Sequence, residues 1–66
     1  MCCGRIVRLV DERGFGFIRP DDGGKDMFFH FREVVGASEN LFVGQQVTFE
    51  AQVGPKGPRA SGVRSF

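Results

Sequence analysis

The sequence of 66 residues contains no tryptophan and no tyrosine, and its two cysteines are neighbours. Adjacent residues do not easily place their Cα atoms at the spacing of about 5.5 Å that a disulfide prefers. A structural zinc site takes about four ligands, and His30 is the single histidine available to join Cys2 and Cys3. We therefore expect two reduced thiols, no bound metal, no cofactor and a cytoplasmic protein.

Long apolar stretches are also missing. No apolar run approaches the roughly 18 residues of a membrane span, and no charged-then-apolar leader opens the chain. We expect neither a membrane segment nor a signal peptide. The length favours one small domain covering residues 1–66. His30 has no nucleophile or carboxylate at a fixed spacing, so the sequence does not predict an enzyme.

The charge is nearly balanced but unevenly distributed. Nine Lys and Arg residues against eight Asp and Glu residues give a net charge of +1, which excludes a polyanion binder that works by bulk charge alone. Residues 1–19 carry a local charge of +2, residues 20–50 of −4 and residues 51–66 of +3. The chain presents a basic face if its two ends meet in space.

Ten glycines and eight phenylalanines favour short strands and tight turns over helices. The pattern predicts five strands, at residues 5–10, 15–19, 26–31, 45–53 and 59–65, separated by turns rich in Gly, Pro and Asp. Residues 31–35 are compatible with one helical turn, which Gly36 ends. Five strands in so short a chain indicate a small all-β barrel that is closed or nearly closed.

The most informative feature of the sequence is which aromatic side chains face the core and which face solvent. Alternation in the third strand separates Met27 and Phe29 from Phe28 and His30. A buried imidazole needs hydrogen-bond partners, so we place Phe28 and His30 outside. In the second strand Ile18 shares a face with glycine rather than with phenylalanine, and alternation alone does not decide which face is buried.

With Ile18 inside, the chain still has enough apolar residues for a small core. The predicted core is Ile6, Ile18, Met27, Phe29, Val34, Val47, Phe49 and Val63. In the fourth strand, alternation places Val47, Phe49 and Ala51 on one face. This choice leaves several phenylalanines on the surface, where an apolar cluster usually marks a binding site. Rings interleaved with arginine suit single-stranded nucleic acid, because the rings stack on bases while the cations contact phosphates.

Two motifs resemble those of a known family. Residues 13–18, RGFGFI, resemble the first ribonucleoprotein motif, and residues 27–31, MFFHF, resemble the second. With Gly4 in the first strand and the turn at residues 57–58, the chain resembles bacterial cold-shock proteins over residues 4–63. The resemblance implies a five-stranded antiparallel OB-fold barrel that binds single-stranded RNA and DNA. It also implies a passive RNA chaperone or a regulator of transcription or translation.

The resemblance implies a set of binding residues that combines aromatic and basic side chains. The predicted nucleic-acid-binding residues are Arg8, Arg13, Phe15, Phe17, Phe28, His30, Phe31, Lys56 and Arg59. Gly14 and Gly16 are expected to let the backbone and the bases approach closely.

The sequence departs from the family pattern at two places. Arg8 stands where the family has a tryptophan, and its guanidinium either stacks on a base or is merely solvated. The family's loop aromatic is also missing, with Ser38 and Glu39 in that region. Phe42 either compensates for it or caps the core, and we favour the core. We expect a short or weak footprint within the range of about 4–16 nucleotides for this fold.

The expected partners are single-stranded RNA and DNA, pyrimidine-rich in sequence. We expect a monomer, with a strand-swapped dimer as the alternative. The alternative function is a protein-interaction or self-associating barrel whose aromatic patch binds a protein.

Overall fold

A computed structural model of the chain describes residues 2–36, 41–55 and 57–65. These residues form an all-β structure, as predicted, with one short helix between the third and fourth strands. The elements are β1 Cys2–Val10, β2 Phe15–Pro20, β3 Met27–His30, a 3-10 helix Phe31–Glu33, β4 Gln46–Gly54 and β5 Gly57–Ser65. The predicted helical turn is therefore present, and it ends the third strand at His30.

The five strands close into a barrel in the order β1-β2-β3-β5-β4. Consecutive strands β1–β2, β2–β3 and β4–β5 pair antiparallel, as do β1 and β4. The pairing of β3 with β5 is parallel. A ring with an odd number of strands cannot alternate direction all the way round, so one parallel pairing closes the barrel.

The core lies inside this ring. Its buried side chains are Ile6, Ile18, Met27, Phe29, Val47, Phe49, Ala60 and Val63. The inward placement of Ile18, Met27 and Phe29 confirms the predicted face. Val34 was also assigned to the core; it is half-buried and packs against the cluster, while Ala60 was not predicted.

Two irregularities change which side chains face inward. In β1, Ile6 pairs with Ile18 but Arg8 pairs with Phe17, so Val7 is an extra residue without a partner on β2. In β5, an extra residue falls between the partners of Thr48 and Glu50, and Gly62 in this stretch has a φ of 56°. Each bulge shifts the alternation of its strand by one residue.

The predicted core position of Phe42 is wrong, and Ala51 does not share the burial of Val47 and Phe49. Ala51 is exposed, although Ala60, its partner on β5, is buried in the core. Phe42 is 59% exposed. It lies in a tight turn in which the Gln45 N–H donates to the Phe42 carbonyl at 3.1 Å, and the neighbouring Leu41 packs against the core instead.

Gly16 has a different role from the predicted one. It is buried, and a Cβ added there would lie 2.7 Å from the Arg8 carbonyl oxygen and 2.8 Å from Cε1 of Phe29. Gly16 therefore makes room for the core and for β1, rather than for an approaching base.

Candidate nucleic-acid interface

The outer faces of β2 and β3 carry a cluster of three phenylalanine rings. Phe17 lies directly opposite Phe28 across the two strands, and Phe15 lies opposite His30. All four side chains are half-buried, whereas the residues that alternate with them along the two strands are buried, namely Gly16, Ile18, Met27 and Phe29. The predicted outward placement of Phe28 and His30 is therefore confirmed, and Phe15 and Phe17 share the outer face.

The rings support one another without closing the surface. The centroids of Phe15 and Phe28 are 5.2 Å apart with an interplanar angle of 38°. Phe17 meets Phe15 edge-on at 5.9 Å and 87°, and meets Phe28 at 6.1 Å and 75°. Such tilted and edge-to-face pairs are favourable for aromatic rings. The contacts hide part of each ring, which lowers the cost of keeping the cluster on the surface.

An arginine lies on either side of this cluster. Arg8 on β1 pairs with Phe17, and Arg59 on β5 pairs with Phe28. Both arginines are exposed. One register line therefore crosses the barrel as Arg8, Phe17, Phe28, Arg59 and Gln52. The cations can contact phosphates on both sides of bases that stack on the rings.

The β1 bulge is what brings Arg8 into this line. Regular alternation from the buried Ile6 would point Arg8 toward the core. Because Val7 is an extra residue, Arg8 faces outward beside Phe17, and Leu9 packs against the core. The bulge thus allows a charged side chain at this position without burying it.

His30 is held by the start of the 3-10 helix. Its Nδ1 accepts a hydrogen bond from the backbone N–H of Arg32 at 3.2 Å. With Nδ1 engaged as an acceptor, Nε2 carries the proton of the neutral ring and is available as a donor. The half-buried imidazole is therefore a fixed group beside Phe15.

The remaining predicted site residues lie around this face. Phe31 is half-buried and packs against the core, with its ring centroid 6.0 Å from that of Phe29. A contribution of Phe31 to binding would use the part of the ring that stays exposed. Arg13 is exposed in the turn between β1 and β2. Lys56 lies outside the described residues.

A cleft of about 620 Å³ opens between the aromatic cluster and the β4–β5 hairpin. The sequence predicted three of its lining residues, Phe28, His30 and Arg59, but not the two charged residues of the 3-10 helix. The cleft is lined by Phe28, His30, Arg32, Glu33, Gly54, Pro55, Gly57, Pro58, Arg59 and Ala60. The one sequence signal that could have placed Arg32 and Glu33 in the cleft is their position in a short helical turn directly after His30.

A second, smaller cleft of about 350 Å³ lies on the other side of Phe17. It is lined by Val7, Arg8, Phe17, Arg19 and Asp26. Nε of Arg19 donates to Oδ1 of Asp26 at 3.0 Å. This hydrogen bond and the charge of Asp26 raise the pKa of Arg19 above its ordinary value. Sequence reasoning did not find this pair, because its members lie on either side of the β2–β3 turn.

Over the described ranges, no group of three or more His, Cys, Asp and Glu side chains is arranged to hold a metal ion. No helix in the same ranges is long and apolar enough to cross a membrane.

Comparison with known proteins identifies the family of the barrel. The family model described as the 'Cold-shock' DNA-binding domain matches residues 2–66. The chain belongs to the cold-shock DNA-binding domain family. Proteins of this family bind nucleic acid and are not enzymes, so nucleic-acid binding is the general function of this domain.

Individual relatives agree with this assignment. The chain is 51% identical over 64 residues to the probable cold shock protein A of Mycobacterium tuberculosis, covering 96% of both chains. It is 46% identical over 64 residues to the cold shock-like protein CspC of Escherichia coli K12, covering 96% of this chain and 93% of that one.

A solved structure, drosophila Unr CSD456, superimposes with a TM-score of 0.81 at 28% identity over 97% of this chain. The chain spans 26% of that larger structure, which therefore supports the domain fold.

Proposed function

We propose that this protein binds single-stranded RNA and DNA by stacking bases on Phe15, Phe17 and Phe28. The observation that carries the proposal is the register line in which Arg8 and Arg59 flank the opposed pair Phe17 and Phe28. A stacked base contributes about 1–3 kcal/mol in such sites. Three rings are therefore sufficient for useful affinity in a protein whose net charge is only +1.

Double-stranded nucleic acid does not offer these rings a free base. The cluster would take up bases that are already unstacked and hold the strand open. Stacking is tolerant of base identity, since every base has a π face. We therefore propose a passive RNA chaperone, or a regulator of transcription or translation, that acts as a monomer in the cytoplasm. The partners that we propose are pyrimidine-rich strands, as the resemblance to cold-shock proteins suggests. The free thiols of Cys2 and Cys3 are in keeping with a reducing compartment.

The basic contacts are proposed for Arg8, Arg13, Lys56 and Arg59, with His30 and the exposed part of Phe31 beside the rings. A surface that binds a protein partner is the less favoured function, because the family binds nucleic acid. The two functions differ in their response to Arg8→Glu. Charge reversal beside Phe17 should strongly weaken nucleic-acid binding and should leave an apolar protein contact largely intact.

The direct test removes the opposed rings. We expect Phe17→Ala with Phe28→Ala to lower the affinity for oligothymidine at least tenfold, because about 1–3 kcal/mol is lost per stack. The chain has no tryptophan or tyrosine, so the measurement is fluorescence anisotropy of a labelled oligonucleotide.

Phe17→Leu with Phe28→Leu is the matched variant, because it keeps apolar packing and removes the aromatic faces. Val43→Ala, in an exposed turn outside the cluster, is the control. Thermal unfolding followed by circular dichroism verifies that each variant is folded. If the folded leucine variant bound oligothymidine as well as the wild type, base stacking would be excluded.

A further inference from the structure

Glu33 places a negative charge in a cleft beside the proposed nucleic-acid site, where a negative charge is unexpected. Its side chain lines the 620 Å³ cleft together with Phe28, His30 and Arg59. A carboxylate repels phosphates, so a purely electrostatic surface would not place one here. Among the described residues, Glu33 has neither a hydrogen-bond partner nor an ion pair for its carboxylate. Its two oxygens are therefore free to accept hydrogen bonds from a ligand within the described part of the site.

The position of Glu33 is fixed by its backbone. The 3-10 helix is capped at its start by His30 and at its end by the Val34 N–H, which donates to the Phe31 carbonyl at 3.1 Å. The next residue, Val35, donates to the Val63 carbonyl of β5 at 2.8 Å. Groups that are held in place before binding recognise a ligand at low entropic cost.

The chemistry of single strands decides which ligand group suits this carboxylate. Sugars are flanked by phosphates, so a carboxylate beside a sugar is repelled from both sides. The pairing edge of a base is remote from the phosphates and carries neutral donors. Among pyrimidines, cytosine presents an amino group that can donate to an acceptor. Glu and Asp side chains are known to accept a hydrogen bond from this amino group in protein–nucleic acid complexes. Uracil and thymine present carbonyl oxygens at the same place, which a carboxylate disfavours.

We propose that Glu33 is a specificity-determining residue that accepts a hydrogen bond from the amino group of a cytosine stacked on Phe28. This inference rests on the proposed function, since it needs a base on that ring. The cleft volume of about 620 Å³ lies within the range of about 300–1,000 Å³ that is usual for small-ligand pockets. The protein would then prefer pyrimidine strands that contain cytosine at this position over strands of uracil or thymine alone.

The test compares affinities for oligodeoxycytidine and oligodeoxythymidine of equal length at neutral pH and constant salt. Removal of the negative charge raises the affinity for both, so the diagnostic quantity is the cytosine-to-thymine affinity ratio. We expect Glu33→Ala to lower this ratio about fivefold or more, as for loss of a specific base contact. Glu33→Gln, which keeps one acceptor oxygen, should fall between Glu33→Ala and the wild type. Glu50→Ala, the same change on β4 outside the cleft, should leave the ratio unchanged.

Each outcome separates this inference from the general function. A wild-type protein that binds neither oligonucleotide contradicts the proposed function itself. If the wild type binds both and Glu33→Ala leaves the ratio unchanged, the role of Glu33 is overturned while stacking stands. The role is also overturned if Glu33→Ala alters the preference for oligoribocytidine over oligodeoxycytidine instead, because the carboxylate would then contact the sugar.

Discussion

At the scale of single residues, the barrel depends on Gly16, a buried glycine that lies in the sequence between two outward-facing phenylalanines. Phe15 and Phe17 occupy the outer side of β2, while Gly16 between them is buried against Phe29 and Leu9. A side chain at this position would press on the backbone of Arg8, which lies at one end of the register line. Gly16 thus connects core packing with the placement of the site.

We expect Gly16→Ala to destabilise the protein by about 2 kcal/mol, because overpacking a tight site typically costs about 1–3 kcal/mol. The new Cβ would meet the Arg8 carbonyl oxygen at 2.7 Å, and a backbone atom does not move aside as a flexible side chain does. For a domain of this size, such a loss lowers the midpoint of thermal unfolding by about 10 °C. Thermal unfolding followed by circular dichroism measures the shift.

Gly54→Ala is the matched control for this prediction. Gly54 is also in a strand, but a Cβ there would lie 3.9 Å from the Gly57 carbonyl oxygen, at ordinary contact distance. An equal loss of stability in both variants would mean that the cost arises from replacing glycine in general rather than from the crowded site.

At the scale of elements, two bulges decide which residues of β1 and β5 face outward. The β5 bulge contains Gly62, whose φ of 56° lies in the left-handed region. It lets Ala60 and Val63 both point into the core although they are three residues apart. Arg59, which precedes Ala60, is thereby turned outward beside Phe28.

Gly62→Ala should therefore destabilise the protein by about 1–2 kcal/mol, the usual cost of left-handed backbone for a residue with a Cβ. Space is not the cause, since the nearest atom to an added Cβ is Oε2 of Glu50 at 4.0 Å. Gly62→Asn should cost less, because asparagine tolerates this conformation better than alanine. Urea unfolding of the two variants measures the difference. Equal losses in both would contradict a conformational origin.

At the scale of the whole molecule, closure of the barrel gathers basic residues from opposite ends of the chain. Arg8 lies in the basic segment 1–19 and Arg59 in the basic segment 51–66, and the two flank one aromatic cluster. The acidic middle of the chain contributes Glu33 to the adjoining cleft. A nearly neutral protein thus carries an arginine on each side of its aromatic cluster.

The salt dependence of binding should report this arrangement. On single strands each neutralised phosphate contributes about −0.7 to the slope of log K against log salt concentration. We expect Arg59→Gln to make the slope less negative by about 0.7. Arg64→Gln, an equal charge change on the same strand outside the register line, should leave it nearly unchanged. Identical effects of the two substitutions would show that net charge, rather than a defined contact, controls binding.

The alternation of residue types along each strand was sufficient to predict which side chains face the core and which face solvent for much of the barrel. Alternation in β3, together with the cost of burying an imidazole, placed Met27 and Phe29 inside and Phe28 and His30 outside. The two aromatic motifs indicate the family from the sequence alone. These features depend on neighbours within a few residues, which the sequence displays directly.

Local sequence pattern was sufficient to predict the strand content, most of the buried core residues and the aromatic cluster of β2 and β3. The way the barrel closes sets the pairing of Arg8 with Phe17, the position of Arg59 against Phe28 and the place of Glu33 in the same cleft. The first depends on a bulge without a local signature, and the second on a parallel pairing between strands far apart in the chain. Alternation is a local property of one strand, whereas register between strands is set by how the whole ring closes.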